Sequence, residues 1–497
     1  MITYSELHRV PSSNGFLWYM FSMIVSSAAV IITITYPSAS LIFLLFLIIF
    51  VLIYFKPIIG IYLLTLLYPI DSIFLSLNLG WPEHIRIYLV EILSVILLMV
   101  MILRYLVKYH NIDSDSLVAK TYSDRWVFLF FAAFVVWSIF TVFWSGYLDR
   151  TLFGWFRFNC LFITMSFLVI YLDTYDKFVR LMTFYCCVAA LFAFMAIYAT
   201  YYAFLINYVL LVTPNVSLSA QVSLFNQTGG VFTPIVGMIV GYGLCSKHEL
   251  AMFLLGGVGF ALFLIKHYKS TWIRSVLVLL ILLFETVIYL IFVKLSIITS
   301  FLVLVFICMV VSSWRKSIIV ILACFVCLNV IALSCSQILR PFHMKNTEST
   351  VMKIKKASAE SEYQSGSFSL RMRYWKRAIE KIRESNGMGN GPDSLWRDVS
   401  CSPHAHNIVL TMAAEYGIPS VIFILGALFF IAKETYYQVF TRFKVNDNMW
   451  LLKIFLVATT MCALFEYFFD IFIWWQQLWY MLGLLLASFR LGPLRSS

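Results

Sequence analysis

The sequence predicts an all-α polytopic integral membrane protein with about 12 to 14 transmembrane helices and one large helical extracytoplasmic loop. Of the 497 residues, 62% are hydrophobic and 12% are charged, whereas soluble domains average about 25% charged residues. Apolar runs of spanning length recur along the chain, and one long polar stretch, 338–417, lies late in it. A soluble fold of this size has no interior large enough to bury so much apolar surface.

The apolar runs predict the helices in order from the N-terminus. A helix needs about 20 residues to cross the hydrocarbon core, and up to fifteen runs qualify, some of them short. One run contains Gly256-Gly257-Val258-Gly259, which is compatible with a re-entrant or half-spanning segment there. The runs are 16–36, 39–56, 58–76, 86–107, 126–145, 152–171, 178–204, 230–246, 250–265, 272–292, 296–312, 317–337, 418–433, 449–466 and 472–489.

The charge distribution indicates a membrane orientation and excludes a nucleic-acid partner. The net charge is +12, and the basic residues fall mostly in short loops between apolar runs, as the positive-inside rule expects. Basic loops at 104–125 and 433–448 are then cytoplasmic. Counting spans from the C-terminus places 338–417 on the extracytoplasmic face, whereas counting every run from the N-terminus places it inside. We adopt the count from the C-terminus because it crosses fewer doubtful segments. The disagreement means that one run is miscounted as a span, and we assign that miscount to the region 205–272.

The chain therefore divides into an N-terminal transmembrane bundle, 1–337, a loop with the functional motif, 338–417, and C-terminal transmembrane helices with a cytoplasmic tail, 418–497. Within the loop, apolar residues at i+4 spacing predict a helix over 367–385. Glycines 387, 389 and 391 and then Pro392 end it. A second helix is predicted to begin near His406 and to run toward Gly417.

The histidines of the loop are the first candidate functional residues. His404 and His406 form an i, i+2 pair, which is compatible with a metal, but no third ligand cluster with zinc-like spacing accompanies them. A structural alternative is a histidine that satisfies a helix N-terminus at the membrane interface. The functional interpretation is a general base or an orienting group for an incoming hydroxyl, because imidazole titrates near physiological pH. We predict no metal and no cofactor.

Arginines of the loop helix are candidates for binding an anionic substrate. Between residues 340 and 405 the sequence has twelve Lys and Arg against seven Asp and Glu. The alternative is an ordinary exposed basic helix face. Arginine forks suit pyrophosphate, but Arg371 and Arg373 are two residues apart and cannot share a helix face. We therefore expect one of them to reach a ligand.

Charged residues inside the apolar runs are the third set of candidates. Arg157, Glu91 and Glu285 each lie within a predicted span, where such residues usually face the bundle interior or an aqueous cavity. Arg157, with Arg150 nearby, is interpreted either as part of a site for a lipid diphosphate or as the partner of a buried carboxylate.

The segment 370–420 resembles the signature region of the bacterial O-antigen ligase and O-antigen polymerase superfamily. The plan of many spans with one large extracytoplasmic loop late in the chain is also similar. The residues that carry the resemblance are Arg371, Trp375, Ala378, Gly387, Gly389, His406, Asn407 and Gly417.

This resemblance implies a glycosyltransferase that acts on undecaprenyl-diphosphate-linked glycans at the outer face of the bacterial inner membrane, without a nucleotide sugar or a metal. It also implies that His406 is the catalytic histidine and that Arg371 binds diphosphate, with His404, Arg373, Arg157 and Asn407 as further site candidates.

Two arginines that the family often carries upstream of the loop have no counterpart here. One would follow a serine between two spans, where this chain has Ser296 with Lys294 nearby. The other would precede an asparagine-rich turn, where residues 221–230 hold Asn226 and no arginine. The diphosphate site is therefore expected to use Arg157, Lys294 or the loop.

The favoured function is polymerisation of lipid-linked repeat units of a surface polysaccharide. A ligase that transfers the glycan to lipid A-core, and a transporter or flippase of lipid-linked glycan, are the alternatives. The expected partners are the undecaprenyl-diphosphate-linked donor, a glycan or lipid A-core acceptor and membrane lipid, with a chain-length regulator protein as an optional one. The expected location is the inner membrane, multi-pass, with the active site facing the periplasm.

Overall fold

The computed structural model describes fourteen α-helices in the part of the chain that it covers. That part comprises residues 37–69, 74–75, 87–109, 122–146, 148–212, 247–291, 294–311, 323, 367–392, 394–395, 405, 407–442, 448–470 and 476–491. The predicted all-α membrane class is confirmed. The described strands are β1 (Phe74–Leu75) and β2 (Ile87–Tyr88), which form one short antiparallel pair.

The helices follow the predicted apolar runs closely. Before the loop they are α1 (Pro37–Phe55), α2 (Pro57–Leu67), α3 (Leu89–Tyr109), α4 (Tyr122–Phe140), α5 (Leu148–Tyr171), α6 (Tyr175–Val212), α7 (Lys247–His267), α8 (Thr271–Ile291) and α9 (Lys294–Val310). In the loop and after it they are α10 (Ser367–Glu384), α11 (Ile408–Glu415), α12 (Ile418–Tyr436), α13 (Asn448–Asp470) and α14 (Gln476–Phe489). A 3-10 turn, Thr141–Trp144, extends α4, and a π-helix, Tyr437–Arg442, extends α12.

Eight of the described helices are long and apolar enough to cross a membrane: α3 to α8, α12 and α13. Shorter apolar helices cover Leu44–Phe55, Pro57–Leu67 and Ser296–Ile307. The predicted runs 16–36 and 230–246, and the run 317–337 apart from residue 323, lie outside the described residues, so the total of about 12 to 14 spans stays a prediction.

Two of the predicted segments differ from the structure. The run 58–76 was expected to span, but α2 ends at Leu67 and a turn follows at Tyr68 and Pro69, because Pro69 has no N–H with which to continue the helical hydrogen bonds. The run 250–265 was interpreted as a candidate re-entrant or half-spanning segment, but α7 is a continuous helix with a 19-residue spanning window. Its glycines serve helix packing instead.

Helix α7 is the centre of the bundle. Of its spanning window, 83% is buried, against 17% for α12. The three glycines of α7 face different neighbouring helices. Gly256 contacts Tyr185 of α6 and Met481 of α14. Gly257 contacts Phe284 of α8, and Gly259 contacts Thr459 of α13. Small residues let membrane helices approach closely, so these glycines explain why α7 packs against several neighbours at once.

The loop helices rest on one corner of the bundle. Helix α4 packs along α12, and the 3-10 turn after α4 leads through Ser145 and Gly146 into α5. Helix α12 begins directly after the loop, with Gly417 as its N-cap residue and Pro419 in its first turn, a position that suits proline because no helical N–H is lost there. We call the region where α4 ends and α5 begins the α4–α5 corner. It faces the chain segment that joins the loop to α12.

Candidate functional site

Helix α10 buries an apolar side, and its charged residues are exposed or partly buried. Tyr374 and Ala378 are buried, and Ala378 forms a small core with Leu395, Ala405 and Ala414. Trp375 packs against this core. The prediction of a helix over 367–385 is confirmed, and the i+4 spacing of its apolar residues is the reason that one side faces α11.

The two candidate arginines of α10 differ in exposure. Arg371 is partly buried, whereas Arg373 is exposed, which agrees with the expectation that they cannot share a face. Further along the helix, Arg377 pairs with Glu380 at 3.2 Å and with Glu384 at 3.5 Å. These ion pairs are exposed, so they contribute little to stability, and substrate binding by Arg371 or Arg373 stays a prediction.

The chain leaves α10 through a turn built on left-handed backbone. Asn386, Gly387, Gly389 and Gly391 have φ values of 50°, 74°, 87° and 93°. The Gly387 N–H donates to the Ile382 carbonyl at 2.8 Å, which closes the helix end in the manner common for a left-handed glycine cap. The predicted helix stop at these glycines is confirmed.

The turn then runs alongside the end of α11. Residues 387–391 contact residues 414–418 there, and we call this pair of segments the glycine crossing. A Cβ on Gly389 would lie 2.5 Å from the Gly417 nitrogen, and one on Gly417 would lie 2.5 Å from the Met388 carbonyl oxygen. Three backbone hydrogen bonds join the segments: Asn390 N–H to Ala414 O at 3.0 Å, Gly391 N–H to Glu415 O at 2.8 Å and Ile418 N–H to Gly387 O at 2.8 Å.

The Asn390 side chain adds a second tie between the two helices. Its Nδ2 donates to the Lys381 carbonyl of α10 and to the Ala414 carbonyl of α11, each at 3.0 Å. Both acceptors are carbonyls near helix C-termini, where helical partners run out, and each also accepts a backbone N–H, the Lys381 carbonyl from Ser385 and the Ala414 carbonyl from Asn390. From the sequence these glycines were expected to end α10, and the structure shows that Gly389 also allows close backbone contact with Gly417.

Asn407 is the N-cap of α11. Its backbone is extended, with φ −156° and ψ 117°, and its side-chain oxygen accepts from the Leu410 N–H at 3.0 Å. Asparagine is among the preferred residues at this position. The predicted start of a helix near His406 is confirmed, and the contact gives Asn407 a structural role. Its proposed part in substrate binding stays a prediction.

His404 and His406, the proposed catalytic residues, lie outside the described residues. Ala405, between them in sequence, is 1% exposed and belongs to the small core with Ala378 and Ala414. The residues on either side of His406 in sequence are therefore a buried alanine and a helix cap.

Two tryptophans and a threonine of the α4–α5 corner contact the glycine crossing. The Trp137 indole donates to the Tyr416 carbonyl at 2.7 Å, and the Trp144 indole donates to the Gly389 carbonyl at 2.9 Å. The Thr151 hydroxyl donates to the Pro392 carbonyl at 3.4 Å. Sequence reasoning missed these residues. The signal that could have found them is the presence of two tryptophans near one end of a predicted span.

Arg157 contacts Glu91, as one of its two interpretations predicts. Its Nε lies 2.7 Å from Glu91 Oε1, joining α5 to α3, and its guanidinium lies 4.4 Å from the centre of the Phe153 ring. Pairing is the expected state of a charge within a span. The part of Arg157 in holding a diphosphate stays a prediction, and the side chains of Arg150 and Lys294 lie outside the described ones.

A cavity of about 460 Å³ lies between α3, α4 and α5. It runs along α5 from Trp155, one helical turn after Thr151, to Ser166, and its lining is mostly apolar. Among the residues that line it are Val95 of α3, Ala132 and Val136 of α4, and Trp155, Asn159 and Ser166 of α5. The end of the cavity at Trp155 is therefore close to the α4–α5 corner, which contacts the glycine crossing.

Another polar contact within the bundle involves Glu285 of α8. This carboxylate is 3% exposed and accepts a short hydrogen bond of 2.5 Å from the Ser300 hydroxyl of α9. Within the described ranges, no group of three or more His, Cys, Asp or Glu residues comes together as a set of metal ligands.

Residues 278–425 match the family described as O-Antigen ligase. The matched range includes most of α8, α9, the loop helices, the glycine crossing and the start of α12. The match supports the resemblance to the O-antigen ligase and polymerase family that the loop residues indicate. No curated protein matches the chain.

Proposed function

We propose that this chain polymerises undecaprenyl-diphosphate-linked oligosaccharide repeat units of a surface polysaccharide by metal-independent glycosyl transfer. The observation that carries the proposal is the packing of basic helix α10 along α11 within the matched segment. That packing runs from the glycine crossing to Ala405, the residue before His406. Arg371 lies one helical turn before Trp375, which packs against the same small core.

The chemistry requires two functions of the protein. The acceptor oxygen forms a bond to the anomeric carbon of the donor sugar while the bond from that carbon to the lipid diphosphate breaks. Negative charge then develops on the departing diphosphate, and arginine side chains stabilise such charge. The acceptor hydroxyl must lose its proton, and His406 is the proposed base. In this proposal Arg371 faces the diphosphate, with His404, Arg373 and Asn407 as supporting candidates.

The cavity between α3, α4 and α5 supports a lipid-linked substrate. A lipid chain needs an apolar path within the bilayer, and the cavity provides one along α5. In this proposal part of the lipid chain occupies the cavity while the diphosphate lies near the α4–α5 corner. The loop then faces the periplasm, and the protein resides in the inner membrane. A glycan acceptor completes the reaction, with a chain-length regulator as an optional partner.

The second candidate is an O-antigen ligase, which would transfer the finished glycan from the same lipid to lipid A-core. The description of the matched family favours it. Both candidates use the same donor and the same bond-forming step, so they differ in the acceptor. The transporter alternative would need charged residues lining many spans, and Arg157 in the described bundle is instead paired with Glu91.

Complementation of a deletion strain of the source organism tests the proposal and separates the two candidates. The strain receives either the wild type or His406→Ala, and its lipopolysaccharide is separated on a gel. With His406→Ala, a band of core plus one repeat without the ladder supports a polymerase. Bare core, with long polymer accumulating on the lipid carrier, supports a ligase and overturns the polymerase.

The experiment needs evidence that the variant is folded and inserted. Size-exclusion profiles of the detergent-solubilised protein, compared with wild type, provide it. A normal ladder from a His406→Ala variant with a wild-type profile contradicts the catalytic role of His406.

A further inference from the structure

Trp137 and Trp144 lie at the same end of α4 and bond the two arms of the glycine crossing separately. Trp144 reaches Gly389, on the arm that follows α10, and Trp137 reaches Tyr416, on the arm that follows α11. Their ring centroids are 6.2 Å apart. Each indole N–H thus fixes one of the two backbone segments to the same short stretch of the membrane bundle.

Tight packing at the glycine crossing leaves the two backbone segments little freedom to move relative to the α4–α5 corner. Gly389 already contacts the Gly417 backbone, and a Cβ on Gly391 would lie 2.5 Å from Ser145 Oγ and 2.6 Å from Thr151 Oγ1. The crossing is therefore enclosed between the α4–α5 corner on one side and the ends of α10 and α11 on the other. The indole bonds set where along this corner the crossing lies.

We propose that Trp137 and Trp144 are positioning residues for glycosyl transfer, because their indole N–H groups fix the glycine crossing, and with it α10 and α11, against the bundle. This inference rests on the proposed function. A displacement of the crossing would move Arg371 and the segment before Asn407 relative to a lipid-linked donor held by the bundle. Small misplacements of reacting groups lower turnover strongly.

The properties of Trp144 distinguish positioning from a general contribution to stability. Trp144 is 43% exposed, so much of its ring makes no packing contact with the neighbouring helices. A tryptophan in this situation is typical of the membrane–water interface, where the ring faces lipid and the N–H finds a polar partner. Here the polar partner is a carbonyl of the crossing, at 2.9 Å.

The test replaces each indole by a ring without a donor, in Trp137→Phe and Trp144→Phe. The matched control is Trp450→Phe, since the Trp450 indole donates to the Val439 carbonyl at 2.9 Å between α13 and the π-helix. That control loses a bond of the same type, equal in length to the Trp144 bond, away from the crossing. All three variants and the full-length wild type are reconstituted in lipid nanodiscs.

Two measurements are made on each protein. Hydrogen–deuterium exchange followed by mass spectrometry reports on peptides that contain 387–391 and 414–418. We expect exchange there to accelerate about fivefold in each crossing variant, the factor that corresponds to loss of one ordinary hydrogen bond. Glycosyl transfer from purified lipid-linked repeat units is expected to show a turnover lower by about tenfold, with KM for the donor little changed.

The outcomes decide the inference as follows. Faster exchange with lower turnover in the crossing variants, and neither change in Trp450→Phe, supports it. Exchange at the wild-type rate, unchanged turnover, or an equal loss of turnover in Trp450→Phe overturns it. A wild type that transfers no glycan overturns the proposed function, and the exchange comparison then still decides whether the indoles hold the crossing.

Discussion

The bundle around α7 and the glycine crossing both depend on glycines, but Gly256 of the bundle and Gly389 of the crossing contact different kinds of atoms. A Cβ on Gly256 would meet the Tyr185 hydroxyl at 2.6 Å and the Met481 Cε at 2.7 Å, the ends of two side chains. A Cβ on Gly389 would meet backbone atoms of Glu415, Tyr416 and Gly417 at 2.5 to 2.6 Å. Side-chain ends can shift, whereas a hydrogen-bonded backbone cannot easily do so. An added methyl group is therefore easier to accommodate at Gly256 than at Gly389.

Backbone conformation adds to this difference. Gly256 lies in a regular helix, which any residue adopts, whereas Gly389 has a φ of 87°, which L-residues with side chains rarely adopt. The loop segment is thus specified by a few backbone positions, while the bundle is specified by many interchangeable side-chain contacts. Substitutions in the loop should change function sharply, and comparable ones in the bundle should be partly absorbed.

The largest effect is expected from Gly389→Ala compared with Gly256→Ala. The first adds both left-handed strain and a backbone clash, together about 3 kcal/mol or more, and should abolish the polysaccharide ladder. The second should cost about 1 to 2 kcal/mol and leave the ladder in place. Lipopolysaccharide gels measure function, and thermal unfolding of the purified proteins measures stability.

A suitable control for both is Gly146→Ala, because a Cβ there meets nothing within 4 Å. It should behave as wild type in both measurements. Equal losses of function in Gly389→Ala and Gly256→Ala would remove the distinction between the two regions.

The next effect concerns the loop helix itself, in Arg371→Gln compared with Arg383→Gln. Both arginines are on α10, and Arg371 is partly buried near the start of the helix while Arg383 is exposed near its end. If Arg371 stabilises the departing diphosphate, its loss should lower turnover by about a hundredfold. Arg383→Gln should change turnover less than twofold.

Turnover with a purified lipid-linked donor is the measurement for this pair. Similar losses in both variants would indicate that α10 acts through its overall positive charge. Wild-type turnover in Arg371→Gln would remove the arginine from the proposed site.

The smallest effect is expected in the bundle, at the Arg157–Glu91 pair. Glu91→Gln leaves the Arg157 guanidinium without its carboxylate partner, and we expect a loss of about 2 to 3 kcal/mol in the free energy of unfolding. Replacing both residues in Glu91→Met with Arg157→Met should recover much of this loss, because apolar pairs often replace buried ion pairs without cost.

The double variant also tests whether Arg157 has a part in catalysis. A stable double variant with wild-type turnover would assign Arg157 to structure alone. A stable double variant with turnover reduced by about tenfold or more would assign it a part in holding the diphosphate.

The sequence predicts the local features of the candidate site well. The helix over 367–385, its stop at the glycines and the second helix before Gly417 are all observed, at Ser367–Glu384 and Ile408–Glu415. Each depends on apolar spacing or on local backbone preference, both of which are visible within a few residues. The re-entrant expectation for 250–265 was wrong, since glycines in an apolar run allow close helix packing as well as a break.

The membrane class, the positions of the described spans and the extents of the loop helices therefore follow from the amino-acid sequence. The attachment of the loop to the bundle does not. Trp144 and Gly389 are 245 positions apart, Trp137 and Tyr416 are 279 apart, and Arg157 and Glu91 are 66 apart. Local periodicity carries no information on which distant carbonyl an indole meets. These contacts were decided by helix packing, which brings the α4–α5 corner to the end of the loop.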